Sequence, residues 1–392
     1  MDFRLTEEEE AFRREVQAFL KENWNPKVQA EVDKHYYTEA ADMEEASKEF
    51  IERVFEKGWH AMTWPKEYGG MGKNRMYQFI FVEEMHRVNA PEENLSVTAV
   101  GPTIMKFGTD AQKKEWLPKI LSGEVTFALG YTEPHGGSDL ANTRTMAVAD
   151  GDEYVINGAK IFTSKSHSCT HVWLLVRTNP DVPKHKGLSL FIVPLNSPGV
   201  TIRPLWTLGD GRTNETFYDD VRVPKKNLIG ERDKGWYYVT MALDLERVTI
   251  APYSRYMTIW SHLMRYVKSA KVNGKPLAKD PLVRQKLAEL WVDCQVVRVF
   301  AYRTAWMVGR DQVPNYEASA QKVFATELLQ RLGQAGTQIM GLHGQLQMGD
   351  RHAPEQGHFE QLYRSSRNRT VGGGSNQIQR NVIAQRGLGL PR

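Results

Sequence analysis

The apolar spacing of this chain changes period twice, and that change limits the possible folds more than any single motif. From Asp2 to about Gly123 the apolar residues recur at helical spacing. Thr6 and Glu9 have the separation of a capping box, and Phe12, Val16, Phe19 and Leu20 follow on one helical face. Further amphipathic helices are predicted around Glu45–Lys57, Met76–Val88 and Asp110–Leu121. Between Val125 and about Asp233 the pattern turns to short β-type runs: Glu153–Ile156, Val172–Arg177, Leu188–Val193, Val200–Leu205 and Thr216–Val223. Turn signals such as Asn157-Gly158 and Ser197-Pro198-Gly199 separate them. No helical period alternates with these runs, so an antiparallel sheet is expected rather than strand–helix–strand units. After Gly235 the helical period returns in Trp236–Val272, which Pro252 should kink, then in Pro281–Gly309, Asn315–Met340 and Gln361–Gln385.

The expected fold class is therefore α+β in three units. An N-terminal helical domain covers 1–123, a central antiparallel β-barrel or sandwich domain covers 124–233, and a C-terminal four-helix bundle covers 234–392. The bulk numbers agree with a soluble globular chain: 392 residues, 41% hydrophobic and 25% charged. Lys and Arg total 51 against 47 Asp and Glu, so no charge excess points to nucleic acid or a membrane surface as partner. Cys169 and Cys294 make neither a disulfide framework nor a zinc spacing. The acidic N-terminus lacks the pattern of a targeting peptide, and a cytoplasmic location is expected. No apolar run approaches the ~20 residues of a membrane helix. No G-x-G-x-x-G follows a strand and there is no Walker A motif, so any dinucleotide would be held without a Rossmann turn.

Three segments carry candidate chemistry. In Phe127–Thr143, the run His135-Gly136-Gly137-Ser138-Asp139 lets backbone N–H groups approach an anion, although an ordinary loop reads the same way. In Ile156–His167, Asn157-Gly158 is a hairpin signal leading into Lys160-Ile161-Phe162-Thr163-Ser164. An aromatic residue two positions before a hydroxyl on a strand shares its face, which suits a flat heteroaromatic ring or, equally, a half-buried strand with a core Phe. In Arg367–Arg392, Gly372-Gly373-Gly374-Ser375 precedes a helical pattern. Free N–H groups there suit an anion or a carbonyl oxygen, or form a plain interhelical loop.

Together and in this order, these segments resemble the acyl-CoA dehydrogenase family over essentially the whole chain. TEPHGGSD is similar to the family's TEPxxGSD, NGAKIFTS to NGxKxxxT/S, TFYDDVRVPKKNL to F-x-D-V-x-V-P-x-x-N-L, and GGGSNQIQRNVIAQRGLGLP to the C-terminal signature. The resemblance implies FAD between the β-domain and the C-terminal bundle, α,β-dehydrogenation of an acyl-CoA to a trans-2-enoyl-CoA, and electron transfer to an electron-transfer flavoprotein. The long apolar-faced helices from Pro281 to Met340 exceed what one small bundle needs to bury, so a homotetramer, or at least a dimer, through the bundle is expected. By position the resemblance assigns Leu129, Tyr131 and Thr132 to the flavin ring, Gly137 and Ser138 to the pyrophosphate, and Phe162 and Ser164 to the isoalloxazine and its N5. Gln338, Gly341, Ser375 and Gln377 match cofactor contacts that come partly from a neighbouring subunit. Ser138, Asp244, Arg247 and Gly373 are the expected substrate contacts.

Three departures from the family pattern stand out. Gly373 occupies the position where many members carry a glutamate base. The segment Leu243-Asp244-Leu245-Glu246-Arg247-Val248 matches the variant whose base lies on the first helix of the C-terminal domain, which makes Glu246 the expected base. A solvated Glu246 paired with Arg247 or Arg255 is the plain alternative. Ala270 and Asn273 replace the arginine and phenylalanine of R-x-x-F-G-K, so FAD loses a cross-subunit cation. Gly341-Leu342-His343-Gly344 replaces a glycine- and asparagine-rich turn near the adenosine, with His343 either a substitute polar contact or a structural histidine. These changes keep open another reaction on the same fold, as in oxidases, desulfinases and nitroalkane oxidases, or a partner subunit of a heteromeric dehydrogenase.

Overall fold

The computed structural model describes residues 3–35, 44–90, 94–246, 251–310 and 312–391, with the backbone alone for 33–35 and 241–246. Six helices come first: α1 Glu7–Asn23, α2 Pro26–His35, α3 Glu45–Glu56, α4 Arg75–Arg87, α5 Gly101–Phe107 and α6 Asp110–Leu121. The expected capping box of α1 is present, with the Glu9 N–H donating to Thr6 Oγ1 at 3.2 Å and the Thr6 N–H to Glu9 Oε2 at 2.8 Å. Thr109 and Gln112 form a second box at the start of α6. A short π-helical turn, Ser96–Val100, leads into α5.

Seven strands follow: β1 Phe127–Gly130, β2 Met146–Asp150, β3 Glu153–Ile161, β4 His171–Arg177, β5 Leu188–Pro194, β6 Val200–Trp206 and β7 Arg212–Pro224. They form one sheet in the order β1-β4-β2-β3-β7-β6, with β5 on β4. The sheet is not wholly antiparallel as expected: β1 runs parallel to β4, from Phe127 opposite His171 to Gly130 opposite Leu174. The whole β2–β3 hairpin separates β1 from β4 in sequence, which leaves room for a crossover without a helix.

The hairpin expected at Asn157-Gly158 is also absent. Both residues lie inside β3, at a bulge where the register against β7 shifts between Ile156 and Gly158. Asn157 exchanges hydrogen bonds with Asp220 on β7, and Gly158 takes φ +147°. A type I′ turn signal within a long strand is overridden because the bulge needs the same glycine freedom.

Helix α7, Gly235–Glu246, and helix α8, Tyr253–Ser269, replace the single kinked helix expected over Trp236–Val272. Pro252 stands at the N-cap position of α8, where its missing N–H costs nothing. A hairpin of β8 Lys271–Val272 and β9 Lys275–Pro276 follows, turning on Asn273 and Gly274, both with positive φ. Here the Asn-Gly pair does make a primed turn. Helices α9 Pro281–Val308, α10 Tyr316–Met340, α11 His358–Arg369 and α12 Asn376–Val382 complete the chain. The expected Gln361–Gln385 helix is thus split by the glycine loop. None of the described helices is long and apolar enough to cross a membrane.

Strands β4 and β5 explain how the parts hold together. Trp173, Leu175, Leu188, Leu190 and Ile192 pack against Trp64, Trp116 and Ile120 of the helical layer and Val239 of α7. The alternate residues Val172, Leu174, Val176, Phe191 and Val193 pack on the opposite side with Tyr154, Val221 and Val223. Both faces of these strands are buried, so their sequence reads as a continuous apolar run. The bundle has its own core around Ile259, Leu263, Val297, Leu328 and Leu332.

The Gly158 bulge gives a direct test. A Cβ there would stand 2.6 Å from Thr145 Oγ1, on a backbone that L-residues rarely adopt. Gly158→Ala is expected to destabilise the sheet by about 1–3 kcal/mol, read as a lower thermal midpoint by circular dichroism.

Candidate functional site

The chain leaving β1 is pinned by a buried ion pair. Glu133 and Lys160 are 3% and 0% exposed, with Lys160 Nζ 2.7 Å from Glu133 Oε1. Lys160 also donates to the Tyr131 carbonyl at 3.1 Å, and the Ile161 N–H donates to the Thr132 carbonyl at 2.9 Å. The remaining lone pairs of Glu133 accept the N–H groups of Arg144 at 2.7 Å and Thr145 at 2.9 Å. Burial alone would raise the Glu133 carboxyl, but Lys160 and the two backbone donors hold it below the usual carboxylate range. Burial lowers Lys160 to about 8, with Glu133 acting against that fall.

This clamp presents two groups of atoms. The Gly136 N–H closes onto the Glu133 carbonyl, and Lys184 grips both oxygens of Asp139 at 2.7 Å. Between these ties, Gly137 and Ser138 stand exposed, and their N–H groups donate to no acceptor among the described residues. A Cβ on Gly137 would meet only Thr132 Cγ2, at 3.9 Å, so the backbone there is open to a close-lying anion.

Phe162 lies beside this loop, one residue beyond the end of β3. It does not share a strand face with Ser164 as expected, because β3 ends at Ile161 and Phe162 takes φ +59°. Next to it, Thr163 is fully buried, donates its N–H to the Asn214 carbonyl at 3.0 Å and accepts at its own carbonyl from Asn214 Nδ2 at 3.1 Å. That framework forces the Phe162 ring outward, 57% exposed, on a left-handed backbone that costs about 1–3 kcal/mol. Exposing an aromatic ring on strained backbone next to Thr132 suits a flat ring laid against it. Ser164 Oγ is 2.9 Å from Thr213 Oγ1, which orients the hydroxyl.

The C-terminal segment forms a second cluster. Gly373 and Gly374 have φ +64° and +83°, a pair of left-handed residues that only glycine adopts easily. Ser375 caps α12 through its Oγ, which accepts the Ile378 N–H at 3.4 Å, and Gln377 stands exposed on the first turn. Lys322 and Gln379 hold the Gly374 and Gly373 carbonyls. Gln338 and Gly341 lie elsewhere, in the last turn of α10 and just past it. Gln338 is sixteen residues from Lys322 on that helix, which is about 24 Å along its axis, so one chain cannot bring them to the Gly373 loop. The β-domain meets the bundle where Arg364 of α11 bonds the Leu208 carbonyl and Asp210 in the β6–β7 turn.

Leu129 and Tyr131 sit on and just after β1, close to the clamp. Glu246 ends α7, but its side chain and that of Asp244 lie outside the described residues, as does Arg247 entirely. The sequence reading missed the Glu133–Lys160 clamp. Its trace was a lysine amid the alternation of β3, at a position that points inward.

The clamp predicts its own failure. In Glu133→Gln the amide nitrogen would face either the Arg144 N–H or the Thr145 N–H and Lys160, and in both orientations Lys160 is left buried without a counter-charge. A loss of roughly 3–5 kcal/mol is expected, seen by thermal or urea unfolding. The native Glu133 contribution is present above the ordinary carboxylate range, because its folded value is depressed, and it fades as pH falls through that folded value. The native midpoint should therefore drop below about pH 4.5, and Glu133→Gln should flatten that acid limb.

The family comparisons fit this geometry. The family models described as the acyl-CoA dehydrogenase N-terminal, middle and C-terminal domains match residues 6–124, 128–221 and 233–388. Acyl-CoA dehydrogenase FadE26 of Mycobacterium tuberculosis is 38% identical over 352 residues, covering 88% of this chain and 88% of the relative. Among solved structures, the Tcur3481-Tcur3483 steroid ACAD superposes with a TM-score of 0.91 at 36% identity, covering both chains fully. The ChsE4-ChsE5 complex from Mycobacterium tuberculosis gives 0.89 at 35%, again covering both fully. A helical layer, a curled sheet and a helical bundle, in an order matched domain by domain, make this chain a member of the acyl-CoA dehydrogenase family of flavoprotein oxidoreductases.

Proposed function

We propose that the chain carries out FAD-dependent α,β-dehydrogenation of an acyl-CoA thioester, passing electrons to an electron-transfer flavoprotein. The observation that carries this reading is the Phe162 ring, held outward on left-handed backbone beside the Glu133–Lys160 clamp. Gly137 and Ser138 N–H groups suit the pyrophosphate, and Thr132 and Ser164 suit the edge of the ring system. FAD, when bound, supplies the hydride acceptor. Glu246 takes the thioester α-proton, and the Gly373 N–H holds the thioester oxygen as negative charge builds there. With glycine at 373, no carboxylate competes from that side. The name of one solved relative, a steroid ACAD, supports a steroid-derived thioester, bulkier than a linear acyl group, as the substrate class.

Glu246→Gln should keep the fold, flavin and thioester binding but slow anaerobic flavin reduction by at least ~10²-fold, followed by stopped-flow absorbance. Near-native reduction would remove Glu246 from the reaction and bring the oxidase and desulfinase readings forward. Adding Gly373→Glu to that variant shows whether a base on the other side restores the rate.

The β8–β9 hairpin motivates a second reading. Just before it stands Ala270, matching the family's arginine for a neighbouring subunit's FAD, and in its turn Asn273 matches the phenylalanine; both solved relatives are named as pairs of chains. A different partner chain would then complete the cofactor site. If the homomeric reading holds, the chain purified alone is yellow and at least dimeric by light scattering. Phe162→Ala and Ser138→Ala should then lower its flavin-to-protein absorbance ratio without altering far-ultraviolet circular dichroism. A colourless chain that takes up flavin only with a co-expressed partner would favour the heteromer.

A further inference from the structure

Helix α10 carries two adjacent buried polar side chains that the scheme above leaves unused. Gln321 and Lys322 are each 1% exposed. Gln321 Nε2 donates to the Ala251 carbonyl at 3.2 Å, and its Oε1 accepts from Thr304 Oγ1 at 2.7 Å. Ala251 lies five residues beyond Glu246 and just before the Pro252 cap of α8. The same junction is held from the other side by Glu83 of α4, whose carboxylate accepts the N–H groups of Tyr253 and Ser254, both at 2.9 Å.

Lys322 reaches the other segment. Its Nζ donates to the Gly374 carbonyl at 3.0 Å and to Asn376 Oδ1 at 2.9 Å. Gln379 supports the same loop, donating to the Gly373 carbonyl at 3.2 Å while its Oε1 accepts from Ser319 Oγ at 2.7 Å. One turn of α10, from Ser319 to Lys322, therefore touches both the chain that follows Glu246 and the loop that contains Gly373. With their carbonyls drawn toward α10, the Gly373 and Gly374 N–H groups donate to no acceptor among the described residues.

The chemistry of Lys322 argues against a mere filler. It shares a helical stripe with Ala318, Ala325 and Leu329, all buried, where a methionine or leucine would pack without desolvating an ammonium. Burial lowers Lys322 to about 8, with the nearby Glu327 carboxylate opposing the fall. What the ammonium gives in return is directional: two acceptors fixed on either side of Ser375.

We propose that Gln321 and Lys322 are a paired positioning device that sets the spacing between the helix end bearing Glu246 and the Gly373 N–H. This rests on the functional reading above, since it is the α-proton and the thioester oxygen whose separation must match. The device acts through backbone carbonyls and makes no contact with substrate.

The test uses the full-length flavin-loaded protein with Lys322→Met and Gln321→Met. Hydrogen exchange read by mass spectrometry should speed up about tenfold in peptides across 371–378 for Lys322→Met and across 251–256 for Gln321→Met. Peptides from the β2–β3 hairpin, which neither side chain touches, should not change in either. Flavin reduction by octanoyl-CoA and cholanoyl-CoA should fall at least about tenfold in both, with flavin content kept and KM within about threefold, as misplacement rather than lost binding requires. Native reduction rates despite a loosened loop would overturn the proposal, as would uniform loosening that reaches the β2–β3 hairpin as well. Should Lys322→Met not fold, Gln379→Met removes the other donor to the same loop and carries the same arms. A native chain that reduces flavin with neither thioester refutes the functional reading alone. The exchange arm then still decides whether the two prongs hold their separate segments.

Discussion

The Glu133–Lys160 ion pair is the interaction on which the open face of Gly137, Ser138 and Phe162 depends. Its two partners sit on different segments, one beyond β1 and one near the end of β3, and the lysine also ties back to the Tyr131 carbonyl. Taking both charges out of water is costly, and such a pair contributes only when every lone pair and proton finds a partner. Here Glu133 meets that condition with two backbone N–H groups and the ammonium. The result is a loop whose backbone is fixed from inside while its outer surface, Gly137, Ser138 and the neighbouring Phe162 ring, stays open.

The C-terminal loop is built by the same means. Consecutive left-handed glycines would wander if left to themselves, since glycine loses the most backbone entropy on ordering. The Lys322 and Gln379 side chains hold their carbonyls, and Ser375 fixes the start of α12. In both places a buried polar side chain orders an exposed glycine segment. These exposed segments thus inherit rigidity from α10 and β3 rather than from their own residues, which leaves those residues free for small groups and close approach.

Much of the architecture was legible because long segments carried a single period. The capping box at Thr6 and Glu9, the three amphipathic N-terminal helices, the strands around Val172–Arg177 and Leu188–Val193, and the long helices α9 and α10 all follow from local patterning. Local signals failed where tertiary context competed. Asn157-Gly158 carries the same dipeptide as Asn273-Gly274, yet one is a bulge paired to Asp220 and the other a turn. The parallel β1–β4 pairing spans more than forty residues and leaves no local trace. At the site, the motif segments were visible as strings, whereas the ion pair and the α10 donors that shape them needed the third dimension. Gln338 and Gly341 show the limit from the other side: they fit the family pattern but lie a helix length from the loop in their own chain.

The two-faced burial of β4 and β5 also bears on how such a chain can be inherited. Each strand belongs to two cores at once, one shared with the helical layer and α7 and one inside the sheet. A gene fragment encoding the middle third alone would expose Trp173, Leu175 and Ile192 as a greasy wall with nothing to cover it. Recombination that swaps this third for a relative's must carry a matching set from Trp64, Trp116 and Val239, or the wall no longer fits. The three sequence blocks are thus distinct to a reader of the chain but form a single heritable unit.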